Sequence, residues 1–194
     1  MAKTVITLPS FGLTDPGADK TIMWDDSASA LAITGPGVGG ISVGSQWRVT
    51  TTFAGDAAPI SSNWEQSDST GYANLGTAMS ESSGVFTFPS TGFYLVSFIA
   101  MIKSDNAANR CAYNIFATTD NSTYAQITEA SVFGANTGGS NTYASVMSQA
   151  IVDVTNTTNV KVRFHVVQED NSNDTNCNTN YPQTGATFIR LGDT

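Results

Sequence analysis

Apolar side chains fill both faces of one long predicted strand. In residues 86–105, "FTFPSTGFYLVSFIAMIKSD", nearly every residue from 93 to 102 is apolar. A strand with one face in water alternates apolar and polar residues instead. The pattern therefore predicts a strand over residues 92–103 whose second face is covered by something other than water.

The rest of the chain is also patterned as strands. Short runs rich in Val, Ile, Thr, Tyr and Phe are separated by Gly, Asn, Ser and Asp clusters, and helical periodicity is almost absent. In "NVKVRFHVV", residues 159–167, apolar positions alternate with Lys161, Arg163 and His165, which predicts one wet face. The predicted strands are 47–53, 84–89, 92–103, 110–118, 124–133, 143–154, 159–168 and 186–191. This pattern predicts an all-β fold, a two-sheet sandwich of jelly-roll type.

A second strand repeats the doubly apolar pattern. Residues 143–154, "YASVMSQAIVDV", place Ala and Val on one face and Tyr143, Met147 and Ile151 on the other. The simplest cover for such a sheet is another copy of the same chain, because soluble oligomers are mostly symmetric homo-oligomers. The alternative is that the N-terminal segment folds back over this sheet.

The first residues differ from the rest. Residues 21–24 and 31–34 predict a β-hairpin, and the Pro- and Gly-rich stretches on both sides predict irregular structure. A lone hairpin is marginally stable, so it gains order by lying on something larger. We expect residues 1–42 to form an extended attachment arm and residues 43–194 to form the jelly roll. The side chains expected to attach the arm are Phe11, Ile22, Trp24 and Leu31.

Composition and charge exclude several classes of partner. The 194 residues have a net charge of −8 and only 12% charged residues. A nucleic-acid binder needs a basic stripe, and an anionic membrane surface would repel this chain. No apolar run reaches the roughly 18–20 residues of a membrane span. The N-terminus has no apolar signal-peptide core, and two cysteines suggest free thiols in a reducing cytoplasm.

Candidate catalytic groups are few. His165 is the chain's one histidine, and no nucleophile motif accompanies it. Cys111 is expected in the core and Cys177 in a loop, without the spacing of a metal or redox site. A carbohydrate hydrolase on this scaffold would need two carboxylates flanking a cleft, but the acidic pairs lie in turn-like sequence. We expect no enzyme, no catalytic residue and no cofactor.

Two loops are candidate ligand sites. Residues 168–180, "QEDNSNDTNCNTN", offer hard oxygen ligands that suit calcium, but without the spacing or glycine of an EF-hand. We expect a solvated loop there and no metal. Trp64 and Tyr181 lie among polar loop residues, where exposed aromatics either contact a ligand such as a sugar or plug the edge of the sandwich.

One resemblance concerns the body of the chain. The segments "GVFTFPSTGFYLVSFIAMI", "TNTTNVKVRF" and "GATFIRLG" are similar to sequence signatures of the tumour necrosis factor and complement globular-head superfamily. The resemblance covers residues 47–194 and implies a compact trimer whose inner sheet packs on the threefold axis. By position, it implies these axis-facing residues: Leu95, Ser97, Ile99, Met147, Ile151 and Phe188. Arg190 departs from the family, which often has Gly there, and at the axis it would need a carboxylate or an anion.

A second resemblance concerns the arm and the residues that follow it. The segments "DKTIMWDDSASAL", "SQWRVTTTFAGDAAPISSNWEQ" and "GYANLGTAMSESSGVFTFPSTG" resemble structural proteins of marine bacteriophages. Such proteins occur as capsid decoration proteins and as fibre or adhesin tips. In the first case the chain would be a capsid decoration or cement protein, a homotrimer on the outer surface of the virion that is made in the host cytoplasm. Its partner would be the major capsid protein or another virion protein.

The alternative function is a receptor-binding fibre or adhesin tip that recognises a host surface glycan. A fibre tip normally follows a shaft of repeats or coiled coil, and the 42 residues of the arm contain no heptads. This favours decoration.

Overall fold

The computed structural model contains two compact units, residues 1–40 and 41–194. It describes residues 21–25, 30–34, 41–104, 109–135, 138, 141–169 and 171–194. Among these residues, no helix is long and apolar enough to span a membrane.

The first unit contains the predicted hairpin. Strand β1 (Thr21–Asp25) pairs antiparallel with β2 (Ala30–Thr34), and Trp24 lies opposite Leu31 in the register. Phe11 lies outside the described residues, as do the side chains of Ile22, Trp24 and Leu31. The attachment role of these four residues therefore stays a prediction.

The second unit is a sandwich of two antiparallel sheets, and the predicted all-β jelly roll is confirmed. Its strands are β3 (Gly44–Val49), β4 (Phe53–Ala54), β5 (Trp64–Gln66), β6 (Ser80–Ser82), β7 (Val85–Thr87), β8 (Gly92–Ser104), β9 (Arg110–Thr118), β10 (Ala125–Phe133), β11 (Thr142–Val154), β12 (Lys161–Gln168), β13 (Asp174–Asn176) and β14 (Gly185–Gly192).

The seven-stranded sheet is built around β8. One side of β8 pairs with β11, and the other side pairs with β14 and β13. Strand β14 then pairs with β3, β3 with β5, and β13 with β4. The five-stranded sheet has the order β10-β9-β12-β7-β6. Strand β11 thus lies at the edge of the first sheet.

Predicted and observed strands agree best where the runs are long. The predictions for 92–103, 110–118 and 143–154 differ from β8, β9 and β11 by at most one residue at either end. The first body strand is observed at Gly44–Val49 rather than 47–53. Strands β4, β5, β6 and β13 were not predicted, because two or three residues are too few to show a period.

The core lies between the sheets and centres on Phe86. The ring of Phe86 lies 5.4 Å from Trp47, 5.3 Å from Phe164 and 5.2 Å from Phe188, measured between ring centroids. Edge-to-face and tilted pairs of this kind stabilise beyond the area that they bury. Cys111 is buried in this core, as predicted.

Candidate self-association face

The side chains of β8, β11 and β14 that point away from the core form one surface, and we call its central, mainly apolar part the bare face. Strand alternation sends every second residue of β8 into the core, from Tyr94 to Ile102, and the residues between them outward. The bare face consists of Leu95, Ser97, Ile99, Met101, Tyr143, Met147, Gln149, Ile151 and Ile189.

The register brings these residues together as cross-strand neighbours. Leu95 lies opposite Ile151 on one side and Ile189 on the other, and Ile99 lies opposite Met147. Opposite residues in an antiparallel pair have Cβ atoms roughly 4.5–5.5 Å apart, so their side chains contact each other. Five of the seven residues predicted for the trimer interface thus share one surface: Leu95, Ser97, Ile99, Met147 and Ile151.

Much of this apolar surface is open to solvent. The exposed fraction is 66% for Ile151, 55% for Met147 and 39% for Ile99. The polar residues within the face bond to each other, since the Gln149 Nε2 donates to Ser97 Oγ over 2.8 Å. A contiguous exposed apolar patch with its polar groups satisfied is typical of a protein interaction site.

Ion pairs border the bare face on two sides. On β3, the buried Arg48 donates to Glu65 over 2.9 Å and to Asp68 over 2.5 Å, which lowers the pKa of the Asp68 carboxyl. At the far end of β8, Lys103 pairs with Asp174 over 3.1 Å. The arrangement is an apolar centre with a charged rim, which is the usual anatomy of a protein interface.

Phe188 does not belong to the bare face, and its predicted place at the axis is wrong. Its side chain is fully buried between the sheets, against Phe86 and Phe164. The reason is the alternation of side chains along β14. Phe188 lies opposite the core residue Val96 and therefore points to the same side of the sheet. Its neighbour Ile189 points outward in its place.

Arg190 is also absent from the bare face, because it is two residues after Phe188 and points to the same side of the sheet. It lies opposite the core residue Tyr94, at the end of the sandwich. The guanidinium donates to the Thr91 carbonyl over 2.9 Å and to the carboxylate of Asp193. The carboxylate that this arginine was expected to need is therefore present, but away from the predicted axis.

The two candidate ligand aromatics have different surroundings. Trp64 is half-buried, with its ring 5.0 Å from Phe86, and its Nε1 donates to the Ile60 carbonyl over 2.8 Å. The premise that Trp64 is an exposed loop aromatic is wrong, and it plugs the edge of the sandwich instead. Tyr181 is exposed, as predicted.

The acidic loop after β12 uses its oxygens within the protein. Glu169 accepts the backbone N–H of Arg110 over 3.1 Å, and Asp174 binds Lys103. Among the described residues, no group of three His, Cys, Asp or Glu side chains could hold a metal ion. The thiol of Cys177 is half-buried, and burial raises its pKa to about 12.

The predicted interface left out four members of the bare face: Met101, Tyr143, Gln149 and Ile189. Met101 continues the alternation through Leu95 and Ile99, so the pattern contained the signal. Ile189 was missed because the resemblance, rather than the local alternation, assigned Phe188 to the face.

Comparison with known proteins gives a likeness in structure. No protein-family model matches the sequence, and no curated protein matches it. Eiger, a tumour necrosis factor from S. frugiperda, has a TM-score of 0.59 and 12% identity over 80% of this chain and 96% of its own. Murine APRIL at pH 5.0 has a TM-score of 0.54 and 9% identity, over 77% of this chain and 98% of its own. These likenesses show a jelly roll of the tumour necrosis factor type.

Proposed function

We propose that this chain is a homotrimeric decoration or cement protein of a bacteriophage capsid, which ornaments or stabilises the outer surface of the head. The observation that carries the proposal is the bare face, which needs an apolar partner. The phage assignment is supported by the resemblance of residues 19–31, 45–66 and 71–92 to structural proteins of marine phages.

Self-association is the simplest way to cover the bare face. Its side chains are mostly apolar and partly exposed, and Arg48 and Lys103 beside it are already paired with carboxylates, so a second copy could bury the apolar side chains with those two charges neutralised. Each apolar Å² removed from water contributes roughly 25 cal/mol. The likeness in fold to a tumour necrosis factor supports packing around a threefold axis.

The arm supplies the attachment in this proposal. Residues 1–42 have many large apolar side chains but too few for a core of their own, which suits a segment that gains order on a surface. The arm would dock onto a neighbouring subunit, the major capsid protein or another virion protein, with Trp24 as the main anchor. The jelly roll would then project from the virion.

A matched pair of substitutions tests the trimer. We expect the native protein to sediment as a trimer at micromolar concentration, and Ile99→Asp to give monomers, because a carboxylate cannot be buried in an apolar interface. Val167→Asp is the control. Val167 is 41% exposed, close to the 39% of Ile99, but it lies on the other sheet. A native monomer, or equal dissociation of both variants, would contradict the proposal.

Deletion of residues 1–35 tests the attachment. The truncated protein should remain trimeric and should fail to bind phage particles that lack their native decoration. Binding should depend on apolar burial more than on salt, because the arm has few charges. If the truncated trimer binds those particles as tightly as the full chain does, the arm is not the attachment element.

A fibre or adhesin tip that binds a host glycan is the second candidate. It is favoured by a cleft of about 510 Å³ between β10 and β11, whose lining includes Thr118, Thr128, Gln149 and Asp153. Polar groups in a concave site are what a saccharide requires. If the full chain binds host cells and never associates with capsids, this function replaces decoration.

A further inference from the structure

The outer face of the five-stranded sheet contains an arginine whose guanidinium has no hydrogen-bond partner among the described residues. Of the chain's four arginines, Arg48, Arg110 and Arg190 each bind a carboxylate. Arg163, on β12, bonds to no acceptor and pairs with no carboxylate among the described residues, and its Nε is buried. A buried donor without an acceptor is destabilising, and because Arg163 as a whole is only half-buried, its terminal N–H groups are suited to an external acceptor.

Aromatic rings hold this guanidinium in place. Its central carbon lies 4.0 Å from the centroid of Tyr124 and 5.8 Å from that of Phe116. Stacking fixes the plane of the guanidinium without using any of its N–H groups, which stay available for a ligand. The Phe116 ring in turn stacks on His165 at 3.9 Å between centroids.

The loop that carries Tyr124 is tied to the sheet. The Asp120 carboxylate accepts the hydroxyl of Thr118 and the backbone N–H groups of Ser122 and Thr123, over 2.7–2.9 Å. All three bonds go to the Oδ1 atom and hold the carboxylate against its own loop. Asp120 therefore positions Tyr124 without pairing with Arg163.

More polar groups without partners lie beside Arg163. Asn114 is directly opposite His165 in the register, and the buried Asn114 Oδ1 and His165 Nε2 have no hydrogen-bond partner among the described residues. Lys161, two residues from Arg163, donates to Thr87 and to the Thr157 carbonyl but has no carboxylate within ion-pair distance in the described structure. This patch holds two cations in a chain of net charge −8.

We propose that Arg163 is the centre of an oxyanion-binding site, which takes a sulfate or carboxylate group presented by an acidic saccharide. The fork of a guanidinium matches the two oxygens of such a group. The exposed hydroxyls of Ser80 and Ser82, on β6 of the same sheet, would contact the sugar. Because this face lies on the opposite side of the sandwich from the bare face, self-association leaves it accessible.

Calorimetric titration of the full-length protein with dextran sulfate tests the site, with neutral dextran of the same length and inorganic sulfate in parallel. We expect dextran sulfate to bind and neutral dextran not to bind. Arg163→Met should weaken binding at least tenfold, and Arg163→Lys, which keeps the charge but loses the fork, should weaken it by at least threefold.

Arg110→Met is the matched control, because Arg110 lies in the same sheet but is paired with Glu129. Both Met variants change the net charge by one, so diffuse attraction would weaken binding equally in the two. The proposal requires Arg110→Met to stay within twofold of the native affinity. Equal losses, or no binding of dextran sulfate by the native protein, would overturn it. Binding of inorganic sulfate alone would overturn the saccharide as the carrier.

Discussion

The two outer faces of the sandwich reverse the usual relation between polarity and exposure. The bare face of the seven-stranded sheet is apolar, yet Met147 and Ile151 are more than half exposed. The outer face of the five-stranded sheet carries His165, which is polar and only 6% exposed because Phe116 lies flat on it. One face has a cover made of its own side chains, and the other has no such cover among the described residues.

This contrast separates the stability of the folded subunit from its association with other copies. A substitution on the self-covered face changes the stability of the subunit, whereas one on the bare face changes association and leaves the subunit fold nearly intact. Three measurements test this separation. Each is best made in the Ile99→Asp background, where association does not contribute to the unfolding free energy.

The largest expected effect is at Phe188, the residue that the resemblance assigned to the bare face. We expect Phe188→Ala to lower the unfolding free energy by about 3–5 kcal/mol, since it removes a fully buried ring from the aromatic core. Urea unfolding measures it. The adjacent Ile189→Ala, on the bare face, should cost less than half as much. Equal losses would mean that the assignment of Phe188 to the core and of Ile189 to the outer face is wrong.

The next effect is the pH dependence caused by His165. Burial, assisted by the charge of Arg163, lowers the pKa of His165 from 6.5 to about 4. Below pH 6.5 the unfolded chain binds a proton that the folded protein does not, so stability falls as the pH drops toward 4, by at most about 3 kcal/mol. The urea concentration at the midpoint of unfolding, measured at pH values from 7 to 4.5, reports this loss. His165→Gln should flatten the slope, and an unchanged slope would show that other groups cause it.

The smallest effect compares one aromatic from each face. Phe116→Ala should cost about 2 kcal/mol, because the half-buried ring covers His165 and contacts Arg163. Tyr143→Ala on the bare face should stay within about 0.5 kcal/mol in the monomeric background, where that side chain is exposed. If the tyrosine variant is the less stable of the two, the bare face is not a free surface.

Alternation predicted that the sheet of β8 and β11 has a second apolar surface, and it grouped Leu95 with Ile99 and Met147 with Ile151. The resemblance, rather than alternation, assigned these four residues to the trimer interface. The errors came from information that a local pattern lacks. The burial of Trp64 depends on Phe86, which is distant in sequence, and the cover over His165 depends on Phe116, from a neighbouring strand. The lack of an acceptor for the Arg163 guanidinium among the described residues has no sequence signal.

The position of β14 has a consequence for synthesis. This strand, Gly185–Gly192, lies between β8 and β3, so β3 and β5 cannot join the sheet until residues 185–192 have left the ribosome. Until then β8 exposes one unpaired edge as well as its apolar outer side, which is the combination that promotes aggregation. Nascent chains that have not yet exposed residues 185–192 are therefore poorly suited to pair. We expect subunits to pair only after β14 has joined β8, at a rate that depends on protein concentration.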